Sequence, residues 1–277
     1  MATRLISSGI GIAIALVILF LHNTFIFPLC IGIVSLITLF EFYHANDMQH
    51  YKLSFFAGLT YALMLPIISV GTATRFKLLL TVICSIIVLF DYILHQMRMK
   101  SRSFFCILAG MFLIPNALST AVILNHSDEK HGIIYVVLAL CGAWVADSSA
   151  YFAGTFLGKH KLCPNISPKK TVEGFFGGLL ANVVVFILFT LVYAAIMKHQ
   201  GTPITYSWFA IVMLALACGI LGTIGDLSAS VLKRQLDLKD YGNIMPGHGG
   251  ILDRFDSVLL VLPFFCAYII SIGLFGT

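Results

Sequence analysis

The feature that most limits what this chain can become is a succession of continuously apolar stretches, each close to the length that crosses a bilayer. They lie at about 5–21, 25–40, 54–70, 78–94, 104–124, 132–157, 174–197, 207–232 and 258–275, against the roughly 20 residues that a hydrocarbon core requires. Only helices or closed barrels satisfy every backbone group in lipid, and these runs lack the strict alternation of barrel strands. The sequence therefore predicts an all-α polytopic transmembrane bundle of about nine spans. Composition agrees, with 59% apolar residues, 10% charged residues and a mean hydropathy of +0.98. A soluble domain needs far more charge to cover its surface. The first apolar run, after Arg4, could mimic a signal peptide, but the stretches that follow favour a first membrane helix. Seven cysteines scattered singly, with no C-x-x-C pair, argue against a disulfide framework or a thiolate zinc site.

No Gly/Ser-rich or Pro-rich linker divides the chain. Residues 1–277 are expected to form one membrane domain, with N-terminal helices over 1–130 and catalytic helices over 131–277. Of the seventeen Lys and Arg, only Arg75, Lys77, Lys130 and Lys198 fall on one side of the alternating loops. The rest lie at the N-terminus and in the opposite set, concentrated in the loops 158–173 and 233–257. The positive-inside rule then turns those two loops toward the cytoplasm of the cell membrane, and the C-terminus outward.

Polar residues without a bland explanation gather in the second half. The sixth span carries Asp147, Ser148, Ser149 and Tyr151, and the eighth carries Asp226, Ser228 and Ser230 before running into Lys233 and Arg234. A carboxylate inside a span costs about 2.5–3.5 kcal/mol to insert, so it normally meets a partner or a wet cavity. Asp226, Ser230 and Lys233 are spaced i, i+4, i+7 along one helical face. That face suits a metal-bound phosphate near the membrane surface, and equally a plain Asp226–Lys233 bridge. The loop that follows tips the balance. Lys233, Arg234, Lys239 and Arg254 supply fixed positive charge, and Asp240, Asp253 and Asp256 supply hard oxygens of the kind Mg²⁺ prefers. Between them, Pro246, Gly247, His248, Gly249 and Gly250 form a turn whose backbone can approach an anion closely. Asp226, Asp237, Asp240, Asp253 and Asp256 are five of only twelve acidic residues in the chain, too concentrated for a merely solvated loop. The other basic loop holds Lys159, Lys161, Lys169 and Lys170. Its spacing serves anionic headgroups and a triphosphate equally.

The run S-x-L-K-R-x4-K-D…P-G-H-G-G-x-L-D-R-x-D, Ser230 to Asp256, resembles the hallmark of the CDP-diacylglycerol synthases, also called phosphatidate cytidylyltransferases, of bacterial type. So do D-S-S-A-Y-F-A-G (147–154), G-K-H-K-L (158–162) and S-P-K-K-T-x-E-G (167–174), with T-R-L-I-S and E-F-Y (41–43) nearer the start. Departures are Met245 where the family usually has another apolar residue, Ser149 for a glycine and Val172 for a tryptophan.

The resemblance implies CTP + phosphatidate → CDP-diacylglycerol + pyrophosphate, a step of phospholipid biosynthesis catalysed by positioning and charge neutralisation. By similarity, Asp226 and Asp253 would hold Mg²⁺, with K⁺ as a second ion. Lys233, Arg234, Lys239 and Arg254 would neutralise phosphates, while Lys169 and Lys170 would grip CTP or the lipid phosphate. Asp147 and Asp240 stand behind them as metal support or as orienting groups, and Ser230, Gly249 and Gly250 as substrate contacts. The attacking phosphate is already ionised near neutral pH, so His248 is expected to shape the loop more than to act as a base. A homodimer is the family expectation, and Gly174, Gly177 and Gly178 offer a helix face for close packing. Membrane lipids are expected partners and nucleic acid is not. Two other classes compete: a CTP-dependent polyprenol kinase, and a cation-coupled transporter whose ion sits at Asp147 and Asp226.

Overall fold

The computed structural model describes residues 2–96, 98–245 and 249–276. Its helices are α1 (Ala2–Phe20), α2 (Ile26–Ala45), α3 (Lys52–Ile67), α4 (Lys77–Leu94), α5 (Ser101–Asn125), α6 (Gly132–Leu157), α7 (Val172–His199), α8 (Trp208–Gln235), α9 (Leu252–Phe255) and α10 (Val258–Ile272). Each expected apolar run falls on a helix, and the protein is an all-α, multi-pass membrane protein. Among the described residues, α2, α5, α6, α7, α8 and the stretch 71–94 that contains α4 are long and apolar enough to cross a membrane, while α3 and α10 are shorter. The lipid-facing solvent shows directly on the surface, where Leu78, Phe156 and Phe209 are 74%, 81% and 76% exposed.

Residues 158–173 contain an antiparallel hairpin, β1 (Lys161–Cys163) with β2 (Ser167–Thr171), closed by the Ile166 N–H donating to Cys163 O at 3.2 Å. A second small pair joins β3 (Thr205–Tyr206) to β4 (Phe275–Gly276).

The chain forms two compact units, Met1–His126 with Gln235–Phe255, and Ser127–Arg234 with Asp256–Thr277. The stretch 235–255 thus belongs with the N-terminal helices. In that first unit α2, α3 and α5 pack together around Leu39, Tyr43, Tyr61, Ile107 and Leu118, all nearly inaccessible. Tyr43 lies flat where Gly58 of α3 has no side chain, and its hydroxyl donates to Ile107 O at 2.9 Å. The first turn of α3 lacks a side-chain cap of its own. The buried Asp91 of α4 supplies one, its Oδ2 accepting from Ser54 N at 2.9 Å and Ser54 Oγ at 2.6 Å. A carboxylate there meets the open N–H groups and the positive end of the helix.

In the second unit, α7 lies unusually close against α6. A Cβ on Gly174 or Gly178 would meet Ala150 O or Ala146 O at 2.6 Å, and one on Gly177 would meet Ala153 Cβ at 2.5 Å. The glycines read as a packing face between subunits are therefore already covered by α6 of the same chain. Asn182 of α7, fully buried, donates through Nδ2 to Gly142 O of α6 at 3.2 Å and Ala215 O of α8 at 2.8 Å. One amide thus ties the three helices that carry most of the candidate site. Replacing it by leucine should lower the unfolding free energy in detergent by about 1–2 kcal/mol, the range for polar contacts between membrane helices. A thermal-denaturation midpoint equal to the parent's would show that this amide contributes nothing to the packing.

Candidate active site

The second unit gathers acidic groups from three separate parts of the chain. Asp147 comes from the C-terminal half of α6, Asp226 from α8, and Asp256 from the short link before α10. Gly225, next to Asp226, makes the approach possible: a Cβ there would meet Asp256 O at 2.6 Å. Asp147 and Asp226 line a cavity of about 230 Å³ together with Lys169, Lys170, Tyr151 and Phe175. Asp256 is buried and takes the N–H of Ser257 at 2.7 Å. Burial first, and the neighbouring charge of Asp226 second, push its carboxyl up to about 7, against the opposing pull of Lys233.

Positive charge enters this pocket from the hairpin. Lys170 of β2 pairs with Asp226, Nζ to Oδ2 at 2.5 Å, each side chain 24% exposed. Ser230 donates to the other oxygen of Asp226 at 3.4 Å, as the i, i+4 spacing anticipates. Spacing along α8 offered Lys233 as a partner for Asp226; the ion pair the structure shows is with Lys170, far off in sequence. The hairpin is held at its root by Glu173, which accepts from the N–H groups of Lys159 and His160 and from His160 Nδ1 at 2.6 Å. Thr171 caps α7 by accepting from Gly174 N at 3.1 Å. Arg234 reaches the hairpin turn instead of standing clear, with Nε donating to Ile166 O at 3.4 Å.

The first unit carries the rest of the expected residues on the stretch 239–254, with Lys239, Asp240 and Arg254 at its surface. Asp253 Oδ2 accepts from Tyr241 N at 2.9 Å and Gly250 N at 3.0 Å, which folds the loop onto itself. Gly249 has φ +83°, and a Cβ there would crowd Asp253 Oδ2 and Asp240 Oδ1 at 3.1 and 3.3 Å. Backbone conformation and space both demand glycine at this position. Pro246, Gly247 and His248 lie outside the described residues.

Sequence reasoning passed over Glu41 as a site residue. It is 3% exposed in α2 and accepts from Ile251 N at 3.0 Å and Leu252 N at 2.8 Å. The apolar run read at 25–40 ends one residue short of Glu41, whereas α2 continues to Ala45. The helix so carries this acid within a candidate span, where it is a functional candidate by default.

The comparisons with known proteins fit this arrangement. A profile of the Cytidylyltransferase family matches residues 2–272. Similar curated proteins include the phosphatidate cytidylyltransferase of Bacillus subtilis, 48% identical over 136 residues, 49% of this chain and 47% of that one. That of Staphylococcus epidermidis is 38% identical over 138 residues, 50% of each chain. That of Staphylococcus haemolyticus is 34% identical over 175 residues, 62% of this chain and 64% of the relative. The chain thus belongs to the cytidylyltransferase family. The matched stretches span about half to just under two thirds of these curated relatives.

The Lys170–Asp226 pair gives a first test that needs no substrate. In a double-mutant cycle of Lys170→Met and Asp226→Asn, the single lysine change should destabilise more than the double one. The expected coupling is about 0.5–3 kcal/mol, read from detergent unfolding. Additive effects would mean that the two groups do not interact.

Proposed function

We propose that the protein is a nucleotidyltransferase that moves the CMP group of CTP onto phosphatidate, releasing pyrophosphate and leaving CDP-diacylglycerol in the membrane. The observation that carries this reading is the convergence of Asp147, Asp226, Lys169 and Lys170 on one cavity in a bundle that otherwise faces lipid. A lipid phosphate and a soluble triphosphate can meet only at such a boundary. The phosphatidate oxygen forms a bond to the α-phosphorus as the bond to the β-phosphate oxygen breaks, and the pair of electrons leaves with pyrophosphate. The nucleophile is already an anion, so the demand on the protein is to align two anionic groups and offset their charge.

Lys169 and Lys170 are assigned to phosphate binding, with Lys170 moving from Asp226 to the incoming anion. Lys233, Arg234, Lys239 and Arg254 are assigned to neutralising charge on the triphosphate and the leaving pyrophosphate, with Arg234 also bracing the hairpin. Ser230 orients Asp226, Asp240 and Gly249 shape the loop beside Asp253, and Gly250 offers its backbone there. His248 is assigned to the same loop. Among the described residues no three His, Cys, Asp or Glu side chains stand together as a ready metal cage. Two carboxylates on one cavity nonetheless fit Mg²⁺, which commonly takes one or two carboxylates and completes its shell with water and substrate phosphate. Asp226, supported by Asp147, is the candidate oxygen donor of the second unit, and Asp253 that of the loop in the first, with K⁺ as the second ion. Bound Mg²⁺ would supply electrophilic assistance and charge neutralisation at the phosphates. The positive-inside distribution supports a site open to the cytoplasm, where CTP is found, and a homodimer is the expected assembly.

The test is to incubate purified protein with phosphatidate micelles, CTP and Mg²⁺, following pyrophosphate and CDP-lipid. Asp226→Asn and Asp253→Asn should each lower turnover by about 100-fold or more, the scale for losing a group that places or stabilises reacting charge. CDP with a newly phosphorylated lipid alcohol would instead identify a kinase. No turnover by a folded protein would return the buried carboxylates to an ion-transport role.

A further inference from the structure

We infer that Glu41 is a positioning residue of the transferase, acting through the backbone of 251–252 to hold Asp253 and Arg254 in place; this rests on the activity proposed above. Glu41 sits near the end of α2, buried among apolar neighbours, more than two hundred residues from the loop it holds. Both of its carboxylate oxygens are used, Oε1 by the Ile251 N–H and Oε2 by the Leu252 N–H, the opening N–H groups of α9. The Gly250 N–H next to them is taken by Asp253. Three successive amides therefore point at two carboxylates, and the direction of the chain through Asp253 follows from which carboxylate takes which amide.

Space around Glu41 is shaped for this task. A Cβ on either Gly242 or Gly250 would run into its carboxylate, so the loop closes over Glu41 only because both positions lack side chains. The chemistry of the contact is specific as well. Glutamine has one acceptor oxygen and turns an NH₂ toward the second N–H, and aspartate is one methylene too short to reach both. Asp91, also fully buried in this unit, instead caps α3 through Ser54.

The experiment compares the full-length wild type, Glu41→Gln, Glu41→Asp and Thr38→Ala in detergent. Thr38 is buried on the same helix and donates to Val34 O one turn back, so it reports on general damage to α2. Glu41→Gln is expected to lower CDP-lipid turnover by about 100-fold, as for a sub-ångström to ångström misplacement of reacting groups, while its thermal midpoint and its Mg²⁺ requirement persist. Glu41→Asp should recover part of that loss, and Thr38→Ala should retain wild-type turnover. Hydrogen exchange read by mass spectrometry should show faster exchange confined to peptides covering 249–255 in Glu41→Gln. Wild-type turnover in Glu41→Gln, an equal loss in Thr38→Ala, or unchanged exchange over 249–255 would each overturn the inference. If the wild type itself makes no CDP-lipid, the proposed reaction fails, and the exchange comparison still decides whether Glu41 holds the loop.

Discussion

A carboxylate drawn into a protein whose solvent is lipid must find donors inside the fold, and the architecture is arranged around that requirement. Glu41 takes two backbone amides from the start of α9, and Asp91 takes the amide and hydroxyl of Ser54 at the start of α3. Asp226 takes the ammonium of Lys170 and the hydroxyl of Ser230. In each case the acid is on one element and its main partner on another, so satisfying the charge also joins the elements. The apolar helices provide bulk, but lipid competes for their surfaces, and it is these polar ties together with close glycine contacts that choose among packings.

The same arrangement explains how a bundle of apolar helices can hold reactive charge. Asp147 and Asp226 line one cavity, Asp256 lies buried beside Asp226, and Lys170 pairs with Asp226. Such a place has a standing affinity for further positive charge, and a lysine on a hairpin can exchange one anionic partner for another without unfolding a helix. The hairpin is itself secured by Glu173 and by the capping hydroxyl of Thr171, both on or beside the first turn of α7. Lys169 and Lys170 are therefore presented by a short, braced element and not by a free loop.

Much of this was legible in the chain. The apolar runs predicted the helices, because in lipid a continuous hydrophobic segment has no other way to satisfy its backbone. The motif from Ser230 to Asp256 singled out the loop, and the intramembrane acids Asp147 and Asp226 announced themselves by their expense. What stayed hidden was pairing across long separations. Spacing along α8 offered Lys233 as the partner of Asp226, since helical periodicity ranks only neighbours on the same helix. The real partner comes from β2, fifty-six residues away in sequence. Gly174, Gly177 and Gly178 likewise signalled a close helix contact without saying with whom, and the contact is α6 of the same chain.

Contiguous residues alone were enough to read an all-helical membrane protein of the cytidylyltransferase family, with its polar motifs concentrated between Asp147 and Asp256. Those conclusions rest on composition, period and motif, which are properties of contiguous residues. Folding in three dimensions was needed to show that residues 235–255 pack with the N-terminal helices, that Glu41 holds the backbone amides of Ile251 and Leu252, and that Lys170 pairs with Asp226. Each of these is a contact between segments distant in the chain, set by which buried charge can reach which donor, and no local pattern encodes that choice.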